Sequence, residues 1–307
     1  MLVKIKYKRV TRQDLPIIQK LFYKVFKKKI SQRFYEWRYQ RGNTYNSFVA
    51  ILNNKIIAHV GFVEYQFFNK EKIFSRHTSF VLEPYRGKNI YTNLLEYAFL
   101  FLKQKSSFVI VWPNKLNLKN NIKSKNFFLI EKYFLFYKKY KNYINYKNYQ
   151  LIKLNKKNFL KNKNLFSNSF FIKNNKYIQW RFFFYQKNNY YLLKINSSQN
   201  FMILQKVFLS KVLYYNIVDY FIENDQIEYL INSFSFLKKN NINFQILVSS
   251  SNKILIKKLK KYKLKKKKHS FNVGIYQLKK NKLRNFLINN IKNNIKIADT
   301  DVFIKTC

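Results

Sequence analysis

The hydrophobic pattern of the N-terminal part of the chain shifts between two periods. Apolar residues from Leu15 to Val25 recur every three or four positions, which predicts an amphipathic helix, and Thr11 offers that helix an N-cap. The stretch "SQRFYEWRYQRG" predicts a second, shorter helix that ends near Gly42. Alternating residues in "YKRV", ahead of both, suit a strand. The chain therefore begins with one strand and two helices.

Three strand patterns come next. "SFVAILNN" and "KIIAHVGFVEYQFF" predict two strands joined by a turn at Asn53-Asn54, and "KIFSRHTSFVLEP" predicts a third. "NIYTNLLEYAFLFLKQK" then predicts an amphipathic helix, and "SSFVIVWPN" predicts a buried strand that ends at Pro113. The order βα(α)βββαβ is typical of an α/β or α+β layered fold.

Part of this pattern recurs in the second half of the chain. "YIQWRFFF" repeats "FYEWRYQR", which places Trp180-Arg181 143 positions after Trp37-Arg38. The strand-like stretches "YYLLKI" and "FMILQKVF" follow, as "SFVAIL" and "KIIAHVGF" do in the first half. The matching order favours an internal duplication over coincidence. We therefore predict two domains, at residues 1–149 and 150–307.

The composition changes this picture little. Hydrophobic residues make up 47% of the 307 and aromatic residues 20%, so the chain has the means to form a packed core. The net charge of +48 attracts polyanions, but the lysines are spread over almost every segment and do not gather on one face. We therefore expect contact with nucleic acid only non-specifically, through charge. The densest run, Lys257–His269, is predicted to form a solvated helix face and a turn.

Several classes of protein and site are not expected. No apolar run reaches the roughly 18 residues that span a bilayer, and the start of the chain shows no secretory signal. The single cysteine, Cys307, excludes a disulfide framework and favours a reducing compartment, so we predict the cytoplasm. Three scattered histidines predict no metal site. The oligomeric state is left open by the sequence.

One loop carries candidate chemistry. In "SFVLEPYRGKNIYTNLL", Gly87, one of only 4 glycines, stands between Arg86 and Lys88, after a predicted strand and before a predicted helix. A glycine turn there brings backbone N–H groups and the positive end of a helix towards one point, a geometry that binds pyrophosphate. The alternative is an ordinary junction between a strand and a helix.

In its wider context this loop resembles the cofactor loop of the GNAT acyltransferase superfamily. "RVTRQDLPIIQKLF" resembles the first strand and helix of that family, and "VIVWPN" with "SKNFFLIEKYFLFYK" resembles its later strand, helix and final hairpin. The resemblance covers roughly residues 1–140. It implies the GNAT fold, a mixed central sheet flanked by helices, with acetyl-CoA as the acyl donor. The second half would then be a degenerate GNAT-like lobe without a cofactor loop.

The resemblance also implies which residues bind the cofactor. These are Val81, Leu82, Arg86, Gly87, Lys88, Asn89, Ile90, Tyr91, Thr92 and Asn114. Asn114 has an alternative role, which is to cap the next helix. Asn89 and Tyr91 stand where the family has small residues. Asparagine tolerates the left-handed conformation, whereas Tyr91 has to point away from the pyrophosphate. The tyrosine that protonates the leaving thiolate in many relatives corresponds to Ile122 here.

In this family an amine attacks the thioester carbonyl, a strand N–H polarises that carbonyl, and a general base removes the amine proton. The candidate bases are His77 and Glu64, with Glu71 nearby. His77 suits neutral pH best. The alternative for His77 is a strand histidine that hydrogen-bonds a neighbour.

The repeated "EWRY" and "QWRF", with "NKIIAHVGF", resemble a two-lobed GNAT subgroup associated with cell-surface polysaccharides and amino sugars. Trp37 and Trp180 would stack on a sugar or nucleotide ring, and Arg38 and Arg181 would hold a phosphate or carboxylate. The alternative for all four is packing. In the second half, the segment that corresponds to the loop has no glycine, and its acidic residues would repel pyrophosphate. These are Glu223, Asp225 and Glu228.

The sequence therefore predicts an N-acetyltransferase that transfers the acyl group of acetyl-CoA to a small-molecule primary amine, such as an amino sugar. Two alternatives stay open. One is a transferase of the same fold that takes an aminoacyl or acyl group from tRNA. The other is a basic RNA-binding protein that has lost catalysis.

Overall fold

A computed structural model of the chain describes residues 5–66, 72–139, 149–155, 157–158, 181–182, 189–195, 200–209, 212–221, 243–280, 285 and 288. The strands are β1 (Lys6–Arg9), β2 (Gln40–Arg41), β3 (Thr44–Tyr45), β4 (Ser47–Leu52), β5 (Lys55–Gln66), β6 (Lys72–Val81), β7 (Phe108–Val111), β8 (Phe127–Lys139), β9 (Tyr149–Lys153), β10 (Asn189–Ile195), β11 (Phe201–Leu209), β12 (Val212–Phe221), β13 (Asn243–Ser249) and β14 (Lys265–Gln277). The helices are α1 (Leu15–Phe26), α2 (Gln32–Tyr39), α3 (Ile90–Leu102), α4 (Lys115–Ile122) and α5 (Lys253–Lys261).

The chain forms two compact units. The first unit contains residues 1–112, 119–128 and 274–282, and the second contains residues 113–118, 129–273 and 283–307. Each unit therefore includes chain from both sides of the boundary that the sequence predicts at residue 149.

The first unit is built on a mixed sheet with the predicted element order. Its strands lie in the order β1-β4-β5-β6-β7, antiparallel except for the parallel pair β6–β7, and the end of β14 pairs antiparallel with β7. On β5, Gly61 meets the ring of Tyr39 of α2, whereas Phe62 contacts Phe99 of α3. Because successive strand residues point to opposite faces, α2 and α3 cover opposite faces of the sheet. The predicted α/β fold of a sheet flanked by helices is confirmed.

Local chemistry sets several element boundaries in the first unit. Asn53 and Asn54 have φ angles of 48° and 58°, as a tight turn between β4 and β5 requires. Ahead of α1, the Asp14 carboxylate accepts hydrogen bonds from the backbone N–H and the hydroxyl of Thr11, both at 2.8 Å. The hairpin of β2 and β3 was not predicted, and Gly42 at its turn has a φ of 58°.

The second unit repeats the strand order of the first. Its strands lie in the order β9-β10-β11-β12-β13-β8, and only the pair β12–β13 is parallel. The ladder β5–β6 changes register at Val60/Gly61, and the ladder β11–β12 changes register at Ile203/Leu204, again 143 positions later. The same irregularity at the same offset as the two tryptophans supports the predicted duplication.

The core of the second unit is a cluster of buried apolar side chains from its strands and α5. Its members are Phe136, Tyr149, Leu193, Met202, Leu204, Tyr215, Ile217, Ile246, Val248, Leu255, Leu259 and Leu264. The segment that corresponds to the cofactor loop, with Glu223, Asp225 and Glu228, lies outside the described residues.

The last strand of each unit comes from the opposite half of the sequence. β8 lies in the first half of the sequence, yet it pairs with β13 of the second unit. Gly274–Gln277 of β14 lie in the second half, yet they pair with β7 of the first unit. The lysine-rich run is therefore partly a strand: α5 carries its first part, and Lys265–Lys268 are exposed residues of β14. The predicted helix face and turn are present at residues 257–261 and 262–263. The prediction missed the strand at residues 265–269, because pairing with a distant strand decides the local structure there.

Within the described ranges, none of the helices combines the length and the apolar character that crossing a bilayer requires. The same ranges contain no cluster of three or more histidine, cysteine or acidic side chains that could hold a metal ion.

Candidate active site

The predicted cofactor loop connects β6 to α3. A single 3-10 turn at Glu83–Tyr85 follows the strand, and residues 86–89 then lead exposed into the helix. Gly87 has a φ of 79° and Asn89, the N-cap of α3, a φ of 55°. A Cβ at Gly87 would meet nothing within 4 Å, so the backbone there is open to a ligand. Asn89 thus adopts the left-handed conformation that asparagine tolerates.

The start of α3 presents several backbone donors at this loop. The first helical hydrogen bond runs from Asn93 N–H to the carbonyl of Asn89, at 3.0 Å. The N–H groups of Ile90, Tyr91 and Thr92 consequently have no acceptor within the helix. Together with the positive end of the helix dipole they favour an anionic group. The exposed side chains of Arg86 and Lys88 add positive charge; Arg86 also donates from Nε to the Val81 carbonyl, at 3.1 Å.

A gap opens beside β6 next to the loop. β6 and β7 pair at Phe74–Val109 and Ser75–Ile110, and no other described residue pairs with the remainder of β6 on the β7 side. Leu82 N–H donates to Ile57 of β5, at 2.9 Å. Since N–H groups alternate in direction along a strand, those of Ser79 and Val81 point away from β5, towards the gap. They can pair with an extended ligand such as the pantetheine arm of CoA.

A bulge interrupts β6 in the middle of this gap. Thr78, with a φ of 26°, is the extra residue between His77, which lies opposite Gly61, and Ser79, which lies opposite Val60. Its carbonyl lies 3.1 Å from Nδ1 of His59. A carbonyl only accepts, so Nδ1 carries the proton.

His59 holds this bulge from within the core. The Tyr35 hydroxyl lies 2.7 Å from its Nε2 and 2.8 Å from the Ser47 hydroxyl. Burial lowers the pKa of His59 to about 3, although the bond to Thr78 opposes this. The imidazole is therefore neutral, and Nε2 accepts from Tyr35. The sequence does not reveal this role, because it depends on the register between β5 and β6.

Tyr91, the bulkiest departure from the family pattern, turns back along β6. Its hydroxyl donates to Oγ of Ser79, at 3.1 Å, and its ring lies 5.8 Å from the guanidinium carbon of Arg76. The ring is thus directed towards the strand and not across the loop at Gly87, as the expectation for Tyr91 requires.

The candidate bases have partners of their own. His77 is buried on β6, and its Nδ1 lies 2.7 Å from Nη2 of Arg38. A guanidinium only donates, so Nδ1 accepts, which matches the alternative of a strand histidine bonded to a neighbour. Glu64 forms an ion pair with Lys72, at 3.0 Å. A catalytic role for His77 or Glu64 stays a prediction. Glu71 lies outside the described residues.

The predicted acceptor residues are buried or lie partly outside the described ranges. Trp37 packs against Phe34, with 5.4 Å between ring centroids, and both Trp37 and Arg38 are buried. Stacking on a sugar would require Trp37 to become exposed, so its substrate role stays a prediction. Arg181 is described and half-buried, whereas Trp180 is not described.

Two further positions complete the comparison with the family pattern. Oδ1 of Asn114 accepts from Asn117 N–H, at 2.8 Å, so Asn114 caps α4, and its contact with pantetheine stays a prediction. Ile122, at the position of the family's tyrosine, is 58% exposed. Its neighbour Asn121 is buried and accepts a hydrogen bond from the Tyr276 hydroxyl, at 2.9 Å. Tyr276 is 155 residues away along the chain, and the sequence gives no sign of this pair.

Comparison with known proteins places this site in a family. Residues 15–128 match the model of the acetyltransferase (GNAT) family. No curated protein sequence matches the chain. A GCN5-related N-acetyltransferase from Anabaena variabilis ATCC 29413 has a similar structure, with a TM-score of 0.69 at 10% identity over 90% of this chain and 73% of that chain.

Two further solved structures share the fold. A probable N-acyltransferase from Enterococcus faecalis V583 has a TM-score of 0.67 at 10% identity, over 90% of this chain and 73% of that chain. The N-myristoyltransferase of Saccharomyces cerevisiae with bound myristoyl-CoA has a TM-score of 0.60 at 10% identity, over 90% and 80%. Residues 15–128 therefore match a GNAT acetyltransferase domain, and the chain shares the fold of these N-acetyltransferase and N-acyltransferase structures.

Proposed function

We propose that the protein is an N-acetyltransferase that transfers the acetyl group of acetyl-CoA to a primary amine. The observation that carries the proposal is the left-handed backbone of Gly87 and Asn89, which leads into the open N-terminus of α3 beside the gap along β6. An anion-binding helix end next to an unpaired strand edge fits a ligand with a pyrophosphate and an amide-bearing arm.

Each part of the site has a task in this proposal. The N–H groups of Ile90, Tyr91 and Thr92 bind the pyrophosphate, and the N–H groups of Ser79 and Val81 orient the arm. The amine nitrogen attacks the thioester carbonyl, the C–N bond forms, and the C–S bond breaks with its electron pair on sulfur. His77 or Glu64 takes the proton that the amine loses.

The acceptor that we propose is an amino sugar or nucleotide-linked amino sugar of a surface polysaccharide, acetylated in the cytoplasm. The support is the resemblance of the repeated Trp-Arg elements to the two-lobed polysaccharide-associated subgroup. A screen that follows CoA thiol release separates amino sugars from peptide N-termini and lysine side chains. Release with peptides alone would overturn this acceptor class and leave acetyl transfer intact.

Calorimetric titration with acetyl-CoA tests the proposal for the donor. Gly87→Asp and Gly87→Asn are a matched pair, because both impose the same left-handed strain and only aspartate places a negative charge at the pyrophosphate. We expect Gly87→Asn to bind within severalfold of the wild type and Gly87→Asp to lose about tenfold or more.

The titration is repeated at several-fold higher salt. Specific binding of acetyl-CoA should persist, whereas the association of a highly basic protein with a polyanion falls steeply with salt. Equal affinity of the two variants, or heat that disappears with salt, would contradict a cofactor site at Gly87. RNA would then be the ligand to test.

A further inference from the structure

A buried polar network lies on the face of the first unit that α3 covers. The Arg76 guanidinium hydrogen-bonds the Tyr276 hydroxyl, which in turn donates to Oδ1 of Asn121. Arg76 is 7% exposed and Asn121 5%. Among the described residues, Nη1 of Arg76 and Nδ2 of Asn121 have no hydrogen-bond partner. Both unpartnered atoms are donors, so the network is complete except for an acceptor.

The charges around this network favour the binding of an anion. No carboxylate in the described ranges pairs with Arg76, and the side chains that face it are the phenols of Tyr276 and Tyr91. His77 is next in sequence, but it points to Arg38 of α2 on the opposite face of the sheet. A buried, unpaired guanidinium is costly, and an anionic ligand offsets that cost.

The position of Arg76 on β6 indicates which anion. Ser75 is the last residue of β6 that pairs with β7, so Arg76 stands where the gap begins. From Val81 at the loop end of the gap, the strand runs roughly 16 Å back to Arg76. An extended pantetheine arm has comparable length, which brings the sulfur of a CoA bound at the loop close to Arg76.

We propose that Arg76 and Asn121, oriented by Tyr276, form a hole for the thiolate of CoA. This inference rests on the proposed function. When the C–S bond of the thioester breaks, its electron pair stays on sulfur, and the guanidinium and amide N–H groups stabilise that charge without a proton transfer. Arg76 and Asn121 are catalytic residues in this step, and Tyr276 is a positioning residue. They stabilise the leaving thiolate, which Ile122, at the position of the family's tyrosine, cannot protonate.

CoA and S-methyl-CoA test this hole without knowledge of the acceptor, because only CoA can ionise at sulfur. Their affinities for the full chain are measured from about pH 6 to about pH 8.5, the ordinary pKa of a thiol. We expect the affinity of CoA relative to S-methyl-CoA to rise about tenfold over this range. Arg76→Met should remove the rise and leave the affinity for S-methyl-CoA within about twofold, whereas Arg76→Lys should retain part of it.

Every result decides one of the two proposals. A wild-type ratio that does not change with pH overturns the thiolate hole, while binding of both ligands upholds the CoA site. Binding of neither ligand overturns the proposed function and the hole with it. A rise that survives in Arg76→Met overturns the assignment to Arg76. If Arg76→Met does not fold, the same pH series is measured with Asn121→Leu. An unchanged rise of the CoA affinity in that variant overturns the assignment of the hole to these residues.

Tyr276→Phe provides a separate test of the positioning role. It keeps the ring but removes the hydroxyl that links Arg76 to Asn121. We expect the rise with pH to shrink severalfold, with unchanged affinity for S-methyl-CoA. If the affinity of Tyr276→Phe for CoA rises with pH as much as that of the wild type, Tyr276 does not position the hole.

Discussion

His59 shows how one side chain determines the backbone at the reacting end of the site. Its two ring nitrogens are both engaged, Nδ1 with the carbonyl of the bulged Thr78 and Nε2 with Tyr35. Protonation of His59 would place a second proton against Tyr35 inside the core. The bulge therefore depends on a histidine that stays neutral.

This dependence predicts how stability changes with pH. The pKa of His59 is about 3 in the folded chain and returns to its ordinary 6.5 on unfolding, so below pH 6.5 the unfolded chain binds the extra proton. The contribution of His59 is complete above pH 6.5 and is lost as the pH falls towards 3. Between about pH 7.5 and about pH 5 the loss is about 2 kcal/mol.

Urea unfolding of the wild type and of His59→Gln at these two pH values measures the effect. The comparison subtracts all other titrating groups, including Asp14 and the remaining histidines. An equal loss of unfolding free energy in both proteins would show that His59 does not titrate in this way.

Sequence reasoning at the residue scale succeeded where a residue's own backbone preference decides the structure. The predicted glycine turn is present, and Gly87 and Asn89 have left-handed conformations there, which glycine and asparagine tolerate. Thr78 is the opposite case, since a β-branched residue disfavours positive φ. Only the ladder with β5 and the contact from His59 explain its conformation, and neither can be read from neighbouring residues.

At the scale of elements, α2 approaches the sheet closely because β5 has no side chain at Gly61. A Cβ at this position would lie 2.6 Å from Cε1 and 2.7 Å from Cζ of Tyr39. Tyr39 is buried, so its ring cannot move aside freely. This contact fixes the distance between α2 and β5, and α2 also carries the Arg38 that hydrogen-bonds His77.

We therefore expect Gly61→Ala to lower the free energy of unfolding by about 1–3 kcal/mol through overpacking. Gly42→Ala is the control: a Cβ there meets nothing within 4 Å, and only its φ of 58° is strained, which costs about 1 kcal/mol. In the background of Tyr39→Leu, which replaces the ring with a smaller aliphatic side chain, Gly61→Ala should lower the free energy of unfolding by less. Additive effects in this double-mutant cycle would mean that the ring does not limit the approach of α2.

Most elements of the first unit could be predicted because hydrophobic periodicity is local. β4 to β6, α1 to α3 and β7 all follow their own patterns of apolar residues. In the lysine-rich run the helix face and the turn at residues 262–263 follow the prediction, but β14, which begins at Lys265, was missed because its charged residues resemble a solvated turn. Such pairing depends on residues far away in the sequence.

At the scale of the whole molecule, the exchange of last strands makes each unit depend on both halves of the chain. The sequence predicted the duplication from the repeated Trp-Arg elements. It could not predict the exchange, because β8 and β14 fit either β7 or β13 by pattern alone. For the same reason Tyr276 was not connected with the site at β6.

The exchange predicts that residues 1–148 and 149–307 do not fold separately. Without Gly274–Gln277 the first fragment leaves one edge of β7 unpaired, which favours aggregation. We expect each fragment alone to be insoluble and the two, expressed together, to purify as a complex. Size-exclusion chromatography of the products checks this expectation.

A fusion supplies the control for the fragments. Residues 274–282, attached to the first fragment through a flexible linker, should raise its soluble yield, and the same fusion with Ile275→Pro should not, because proline breaks the strand pairing. A first fragment that is fully soluble and monomeric without the fusion would contradict the dependence on β14.

The exchange also has a consequence for the chain as it leaves the ribosome. Val111 is made long before Gly274, so at ordinary synthesis rates the nascent first unit waits on the order of ten seconds for its last strand. During that interval the edge of β7 is a template for any passing strand. The first unit becomes whole only after Gly274–Gln277 have been made, and premature termination anywhere before Gly274 leaves it without its last strand.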